Sequence, residues 1–134
     1  MSEELEKRIE KAVEYKHSGY NCAQAVAAAY ADKTNMFMED IFAITQGFGT
    51  GIGGSLEGNC GAISGACVIA GLMNKNGNRM ETMKNSRKII TSFKEQNGSV
   101  ICKELKGIGT GKVLRECDDC VRDAVKFLGE IIGE

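Results

Sequence analysis

The chain has 134 residues and a formal net charge of −1, with 17 Lys and Arg interspersed among 18 Asp and Glu. That balance leaves no basic stripe for nucleic acid and no polybasic segment for an anionic membrane. The length suits one domain spanning 1–134, long enough to bury about two thirds of the surface an unfolded chain exposes, so disulfides are not needed to hold it together. The longest apolar stretch, Ile63 to Met73, is too short to span a bilayer, and Ser2 to Arg8 (SEELEKR) lacks the apolar core of a secretion signal. These features predict a cytoplasmic protein without nucleic-acid or membrane partners.

Helical periodicity dominates the chain. Leu5, Ile9, Ala12 and Val13 recur at helical spacing behind a cap at Ser2, which predicts a first helix over 3–17 stopped by Gly19. Asn21, with Gln24 three residues on in capping-box register, predicts a second helix through the alanine run to Ala31, with Cys22 at its first position. A third is expected from Met36 to Gln46, capped by Asn35 and ended by Gly47. A fourth begins near Asn59 or Cys60 and runs to about Met73. A fifth covers about Arg79 to Gln96, with Met83, Ile90 and Phe93 inward and Gly98 as terminator. Ser99 caps a short turn holding Val100 to Leu105, and the last helix runs from about Asp118 to Ile132 on an apolar stripe of Val121, Ala124, Val125, Leu128 and Ile132. No segment alternates with period two. The expected fold is therefore all-α, a compact bundle of about five to six helices with a glycine-rich loop, Gly47 to Gly58, ahead of the central one.

Two glycine patterns mimic phosphate-binding motifs. Gly49-x-Gly51-x-x-Gly54 has the letters of a dinucleotide fingerprint but no preceding strand, and Gly107-x-Gly109-x-Gly111-Lys112 has Lys106 and Val113 where a phosphate loop requires Gly and Ser or Thr. Both fit better as places where backbone approaches closely around a buried object.

The six cysteines carry the chemistry. In a reducing compartment, Cys22, Cys60, Cys67, Cys102, Cys117 and Cys120 read as metal or redox groups rather than a disulfide framework, though buried cysteine also packs as a small hydrophobe. In "GNCGAISGAC", Cys60, Ser64, Cys67 and Gly71 share one helix face, while Gly61 and Gly65 make an adjacent groove that lets another helix approach closely. Cys22, Cys60, Cys102 and Cys117 sit at predicted helix starts, where the dipole favours thiolate by about 0.3–1 kcal/mol, whereas Cys67 lies mid-helix. Cys117-Asp118-Asp119-Cys120 has the C-x-x-C spacing of a dithiol pair or half a metal site, although its aspartates oppose thiolate formation, and one of its cysteines can equally be a bystander. Val121 stands where c-type haem attachment needs histidine. The lone His17 is expected to cap the first helix C-terminally. A single histidine assembles no Ser/His/Asp constellation, so catalysis on a substrate is left open.

Gly19-Tyr20-Asn21-Cys22-Ala23-Gln24-Ala25, Gly47-Phe48-Gly49, Cys60-Gly61-Ala62-Ile63-Ser64-Gly65, Cys102-Lys103-Glu104-Leu105 and Cys117-x-x-x-Val121 together resemble the redox-active family named for a C_GCAxxG_C_C pattern. The resemblance implies four principal cysteines, Cys22, Cys60, Cys102 and Cys117, in a small helical domain, with Cys67 and Cys120 as additions or alternates. Two mechanisms then compete. Four converging thiolates need a cation to offset their repulsion, and wide spacing with glycine-rich surroundings leans toward an iron–sulfur cluster and electron transfer rather than zinc. Alternatively, Cys22 or Cys60 attacks as a thiolate and a partner cysteine resolves, with no metal, in a thiol oxidoreductase or redox sensor. A helical interaction module with incidental thiols is the third reading. A redox partner and a homodimer, whose interface nothing in the sequence fixes, are further expectations.

Overall fold

A computed structural model describes residues 1–134 as seven α-helices with two short 3-10 turns. The helices are α1 (Glu3–His17), α2 (Cys22–Ala29), α3 (Met38–Thr45), α4 (Gly61–Leu72), α5 (Arg79–Asn97), α6 (Cys102–Leu105) and α7 (Cys117–Ile132). There is no strand, only one isolated antiparallel bridge between Asn59 and Ile101. The chain is all-α as expected, and the helix count exceeds the expected five to six because the short turn expected before Leu105 is itself the helix α6.

Local signals explain most boundaries. Ser2 accepts from the Leu5 N–H, and Asn21 and Gln24 form the reciprocal capping box that starts α2. Asn78 caps α5, and Gly98, in the left-handed conformation with φ +87°, ends it. Ser99 sits two residues ahead of the α6 cap, Ile101, and its hydroxyl accepts the Ile101 N–H and pairs with Glu104.

Three expected details differ. α2 stops at Ala29, because Tyr30 turns the chain into the 3-10 segment Ala31–Lys33 and sends its hydroxyl to the Val125 carbonyl at 2.6 Å. α3 starts at Met38 behind Phe37, since Asn35 has φ +57° and belongs to the preceding turn. On α5, Met83 and Ile90 are exposed, and Ile89 with Phe93 fills the core instead. Ile89 and Phe93 lie four apart, so the inward stripe is rotated by one residue from the expected register.

α2 is the centre of the bundle, packed by α1, α3, α4 and α7, and seven of its eight residues are buried. An element enclosed on that many sides has room only for small side chains, which is what CAQAVAAA supplies. α1 also packs on α7, and α5 closes the far side against α4 and α7. Leu5, Val26, Tyr30, Ile41, Ile63, Ile69, Ile89, Phe93, Val121, Val125 and Leu128 form the body of one contiguous core.

The α2–α4 contact is the closest. A Cβ added at Gly65 would run into the Ala23 carbonyl oxygen and lie 3.1 Å from the Ala23 Cα, so the two backbones touch without an intervening side chain. Polar anchors tie the ends. Arg8, buried, donates to the Ala29 carbonyl and Asp32 at 2.6 Å each and to Glu134 at 2.9 Å, and its guanidinium lies 4.4 Å from the Tyr30 ring centroid. Arg115 and Asn97 both donate to the buried Asp123.

Candidate functional site

The glycine-rich loop and three helix starts meet at one end of α2. Between helices α3 and α4 the chain coils left-handedly, with φ of +50° at Thr50, +71° at Gly51, +67° at Ile52, +63° at Gly53, +72° at Gly54 and +68° at Leu56. Thr50 and Ile52 are β-branched, and each non-glycine residue held this way costs about 1–2 kcal/mol. Backbone bonds from Gly53 to Gly47 (2.8 Å), Gly54 to Gly49 (3.1 Å), Leu56 to Thr50 (3.1 Å) and Gly58 to Gly51 (2.9 Å) hold the coil closed.

The coil is pressed onto the cysteines. A Cβ at Gly51 would approach the Cys102 Cβ to 2.9 Å, and one at Gly61 would strike the Cys22 sulfur while lying 2.9 Å from the Phe48 carbonyl. Glycine at 61 is thus demanded by the Cys22 sulfur, and glycine at 51 by the Leu56 backbone and the Cys102 Cβ together with its left-handed conformation. The Cys60 N–H donates to Val100 at 2.7 Å and the Cys102 N–H to Gly58 at 3.0 Å, which pins the Cys60 and Cys102 segments side by side around the single bridge.

Cys22, Cys102 and Cys117 are the first residues of α2, α6 and α7, and Cys60 is the N-cap of α4. Cys22, Cys60, Cys102 and Cys120 are buried, and Cys117 is half-buried. All six cysteines are free thiols. Cys22 lies close enough to Cys60 and Cys117 for them to shift one another's protonation, and Cys60 is coupled in the same way to Cys120. Cys102 lies within electrostatic range of Cys117, and Cys67 is beside the Ser86 hydroxyl.

The thiolates expected at these helix starts are not favoured. The Cys117 thiol pulls the Cys22 pKa down, but the neighbouring Cys60 thiol, burial and charge repulsion from Cys60 outweigh it and the net shift is upward. Cys60 is pushed up by the neighbouring Cys120 and by burial, and Cys117 by the neighbouring Cys22 and by burial. Burial chiefly raises Cys102, with Lys106 opposing it and the Cys117 charge adding to it. A helix start contributes at most about 1 kcal/mol, less than removing a thiolate from water beside other thiols costs. Where backbone does help, the Thr50 N–H bonds the Cys22 sulfur and the Ala62 N–H the Cys60 sulfur.

His17 does not cap α1 but meets Asp118 at 2.7 Å, and Lys16 reaches the same carboxylate at 3.1 Å. Both tie the end of α1 to the start of α7, and the pairing holds the Asp118 carboxyl below its ordinary range. Sequence reading missed the cations Lys16 and Lys106, which lie close enough to the Cys117 sulfur to favour its thiolate. Nothing in the sequence signals them, since only the fold brings α1 and the 102–117 segment to Cys117.

No group of three or more His, Cys, Asp or Glu side chains is arranged to hold a metal ion. A lone zinc ion needs three or four such ligands around one point, so the thiols as placed do not fit one. The donor type, several cysteines with backbone N–H groups on two of the sulfurs, is that of an iron–sulfur site, whose own sulfides keep the ligand sulfurs apart.

No helix is long and apolar enough to cross a membrane. Comparison with curated proteins and with solved structures gave no match. A family model covers residues 20–131, from the residue before the α2 cap to the penultimate residue of α7, and so takes in all six cysteines. Because the match takes in most of the chain, the chain belongs to the family described as "Putative redox-active protein (C_GCAxxG_C_C)".

Proposed function

We propose that this is a redox protein whose working groups are Cys22, Cys60, Cys117 and Cys120, cycling between dithiol and disulfide. The observation that carries this reading is the gathering of these cysteines at helix starts around the glycine coil, near enough to shift one another's protonation, because a disulfide forms only between sulfurs that can approach in pairs. In each oxidation two thiols lose two electrons and two protons as one S–S bond forms, and a disulfide of the redox partner takes both up as its own S–S bond breaks. The half-buried Cys117, with Lys16 and Lys106 nearby, is the natural point of contact with that partner. High thiol pKa values make the reduced site slow at neutral pH, which suits a protein that reacts with a docked partner rather than with any passing oxidant.

A second reading is favoured by the N–H groups of Thr50 and Ala62 on the sulfurs of Cys22 and Cys60. In it, Cys22, Cys60, Cys102 and Cys117, with Cys120 or Cys67 as alternates, would hold an iron–sulfur cluster that supplies one-electron transfer. The chain's own contribution would be the buried, amide-lined pocket that tunes the potential and excludes water.

One experiment separates the two. The protein is purified without oxygen, its visible absorbance, iron and acid-labile sulfide are measured, and accessible thiols are titrated before and after mild oxidation. A colourless protein whose thiol count falls in steps of two, and recovers with dithiothreitol, is the expected result. Stoichiometric iron and sulfide with a visible charge-transfer band would move the site to the second reading. Metal-free thiols that resist oxidation would overturn both.

A further inference from the structure

Away from the cysteines, α5 and α7 frame a groove of about 590 Å³, within the size range of small-molecule sites. Its α7 side begins at Phe127, ten residues beyond Cys117 and so about 15 Å further along the helix axis. Lys84, Arg87 and Lys88 of α5 line one wall, and Thr91 and Ser92 continue it one turn on, since these spacings share a helix face. Phe127 and Ile131 give the groove an apolar floor, and Glu130 stands on the rim across from the cations.

The fold itself does not account for this wall. Lys84 faces Arg87 at spacing three and Lys88 at spacing four, and each like-charge pair costs a helix about 0.2–0.5 kcal/mol. None of the three has an ion-pair partner, whereas Arg8, Arg115 and Arg122 are all paired. The hydroxyls show the same contrast. Ser18 and Thr45 donate to the carbonyl four residues back, while the Thr91 and Ser92 hydroxyls bond no group of the protein. Three cations against the single carboxylate of Glu130 leave the groove with a formal charge of +2 in a chain whose total is −1. Free donors and unbalanced positive charge turned on one hollow are what a bound anion satisfies.

We propose that this groove binds a nucleoside diphosphate. Lys84 and Lys88 are spaced by about 6 Å along the helix at 1.5 Å per residue, which suits two linked phosphates better than one carboxylate. Arg87 lies between them and offers a planar fork that takes two oxygens at once. Thr91 and Ser92 donate to the same phosphate oxygens. The base rests on Phe127 and Ile131, and Glu130, kept apart from the phosphates by the width of the groove, accepts from the sugar hydroxyls. No cysteine lines the groove, so the assignment stands apart from the dithiol reading above.

The test is isothermal titration calorimetry of the full-length reduced protein with ADP, GDP and UDP in turn, free of divalent metal, at low and at physiological salt. At least one nucleotide is expected to bind one to one, with an affinity that falls as salt rises. Inorganic pyrophosphate, which has nothing for the floor or for Glu130, should bind about tenfold more weakly or worse. Arg87→Ala should weaken nucleotide binding by about tenfold or more, the loss of one hydrogen bond between charged groups. The same variant should unfold in urea no earlier than the parent, because it relieves a like-charge pair. Lys94→Gln removes an equal charge from α5 outside the groove and should bind as the parent does. Absence of binding by all three nucleotides, pyrophosphate binding as tight as theirs, or equal weakening by Lys94→Gln would each overturn the proposal, and none of these results touches the thiol chemistry.

Discussion

The contact between α2 and α4 lends itself to a sharp test, because two glycines of the same helix make opposite predictions. At Gly65 an added methyl would meet the Ala23 carbonyl oxygen, and the Ala23 carbonyl carbon and Cα would lie at 3.1 Å. These are backbone atoms in the first turn of a buried helix and cannot swing aside, so α2 and α4 must separate. Overpacking of this kind costs about 1–3 kcal/mol, against a gain of about 0.5–1 kcal/mol for replacing a helical glycine by alanine. Gly65→Ala should therefore lose about 1–2 kcal/mol. At Gly71 the nearest atom is the Thr82 Cγ2 at 3.8 Å, an ordinary contact, so the propensity gain stands alone and Gly71→Ala should be stabilised by up to about 1 kcal/mol. The assay is urea unfolding followed by circular dichroism under reducing conditions, comparing midpoints at matched slopes. Because α2 carries Cys22 and α4 carries Cys60 at its cap, Gly65→Ala should also slow formation of a Cys22–Cys60 disulfide. If Gly65→Ala proved as stable as the parent, or more stable, backbone contact would not be what sets the spacing of these helices.

Other consequences are as direct. Cys22, Cys60, Cys102 and Cys117 all hold their protons more tightly folded than unfolded, so the stability they contribute is complete below the unfolded thiol value and falls as pH rises past it. Reduced protein should lose up to about 1.4 kcal/mol per pH unit for each such thiol above roughly pH 9, and urea unfolding of Cys117→Ser at pH 7 and 10 should show a shallower loss than the parent. Arg8→Ala leaves the Ala29 carbonyl without its side-chain donor and the half-buried Glu134 carboxylate with Lys33 alone, and should cost about 3 kcal/mol in thermal or urea unfolding. Arg8 holds the carboxyls of Asp32 and Glu134 below their ordinary values, so the parent should weaken as pH falls toward 3, and Arg8→Ala should weaken less over the same range. Thr50→Gly removes a β-branched residue from φ +50° in the coil over Cys22 and should raise stability by about 0.5–1 kcal/mol, measured as a urea midpoint shift.

Much of the architecture could be read locally. Caps and stops act within a few residues, so Ser2, the Asn21–Gln24 box and Gly98 marked their helix ends correctly, and the absence of period-two runs was enough for the all-α class. The placement of four cysteines at helix starts was also legible, because it follows from the same capping signals. The errors fell where a distant partner overrode the local preference. Tyr30 ended α2 early to reach the Val125 carbonyl, and His17 gave up the end of its own helix for Asp118, 101 residues away.

By itself, the amino-acid sequence determined that this chain folds into helices, that one segment has small residues so that backbones can touch, and that thiols gather at helix beginnings. It could not say which sulfur meets which, because that depends on how α2, α4 and α7 are stacked. Nor could it give the protonation of those thiols. The dipole at each helix start is a local property and favours the anion, but enclosure beside other sulfurs is a property of the assembled bundle and acts more strongly in the opposite direction.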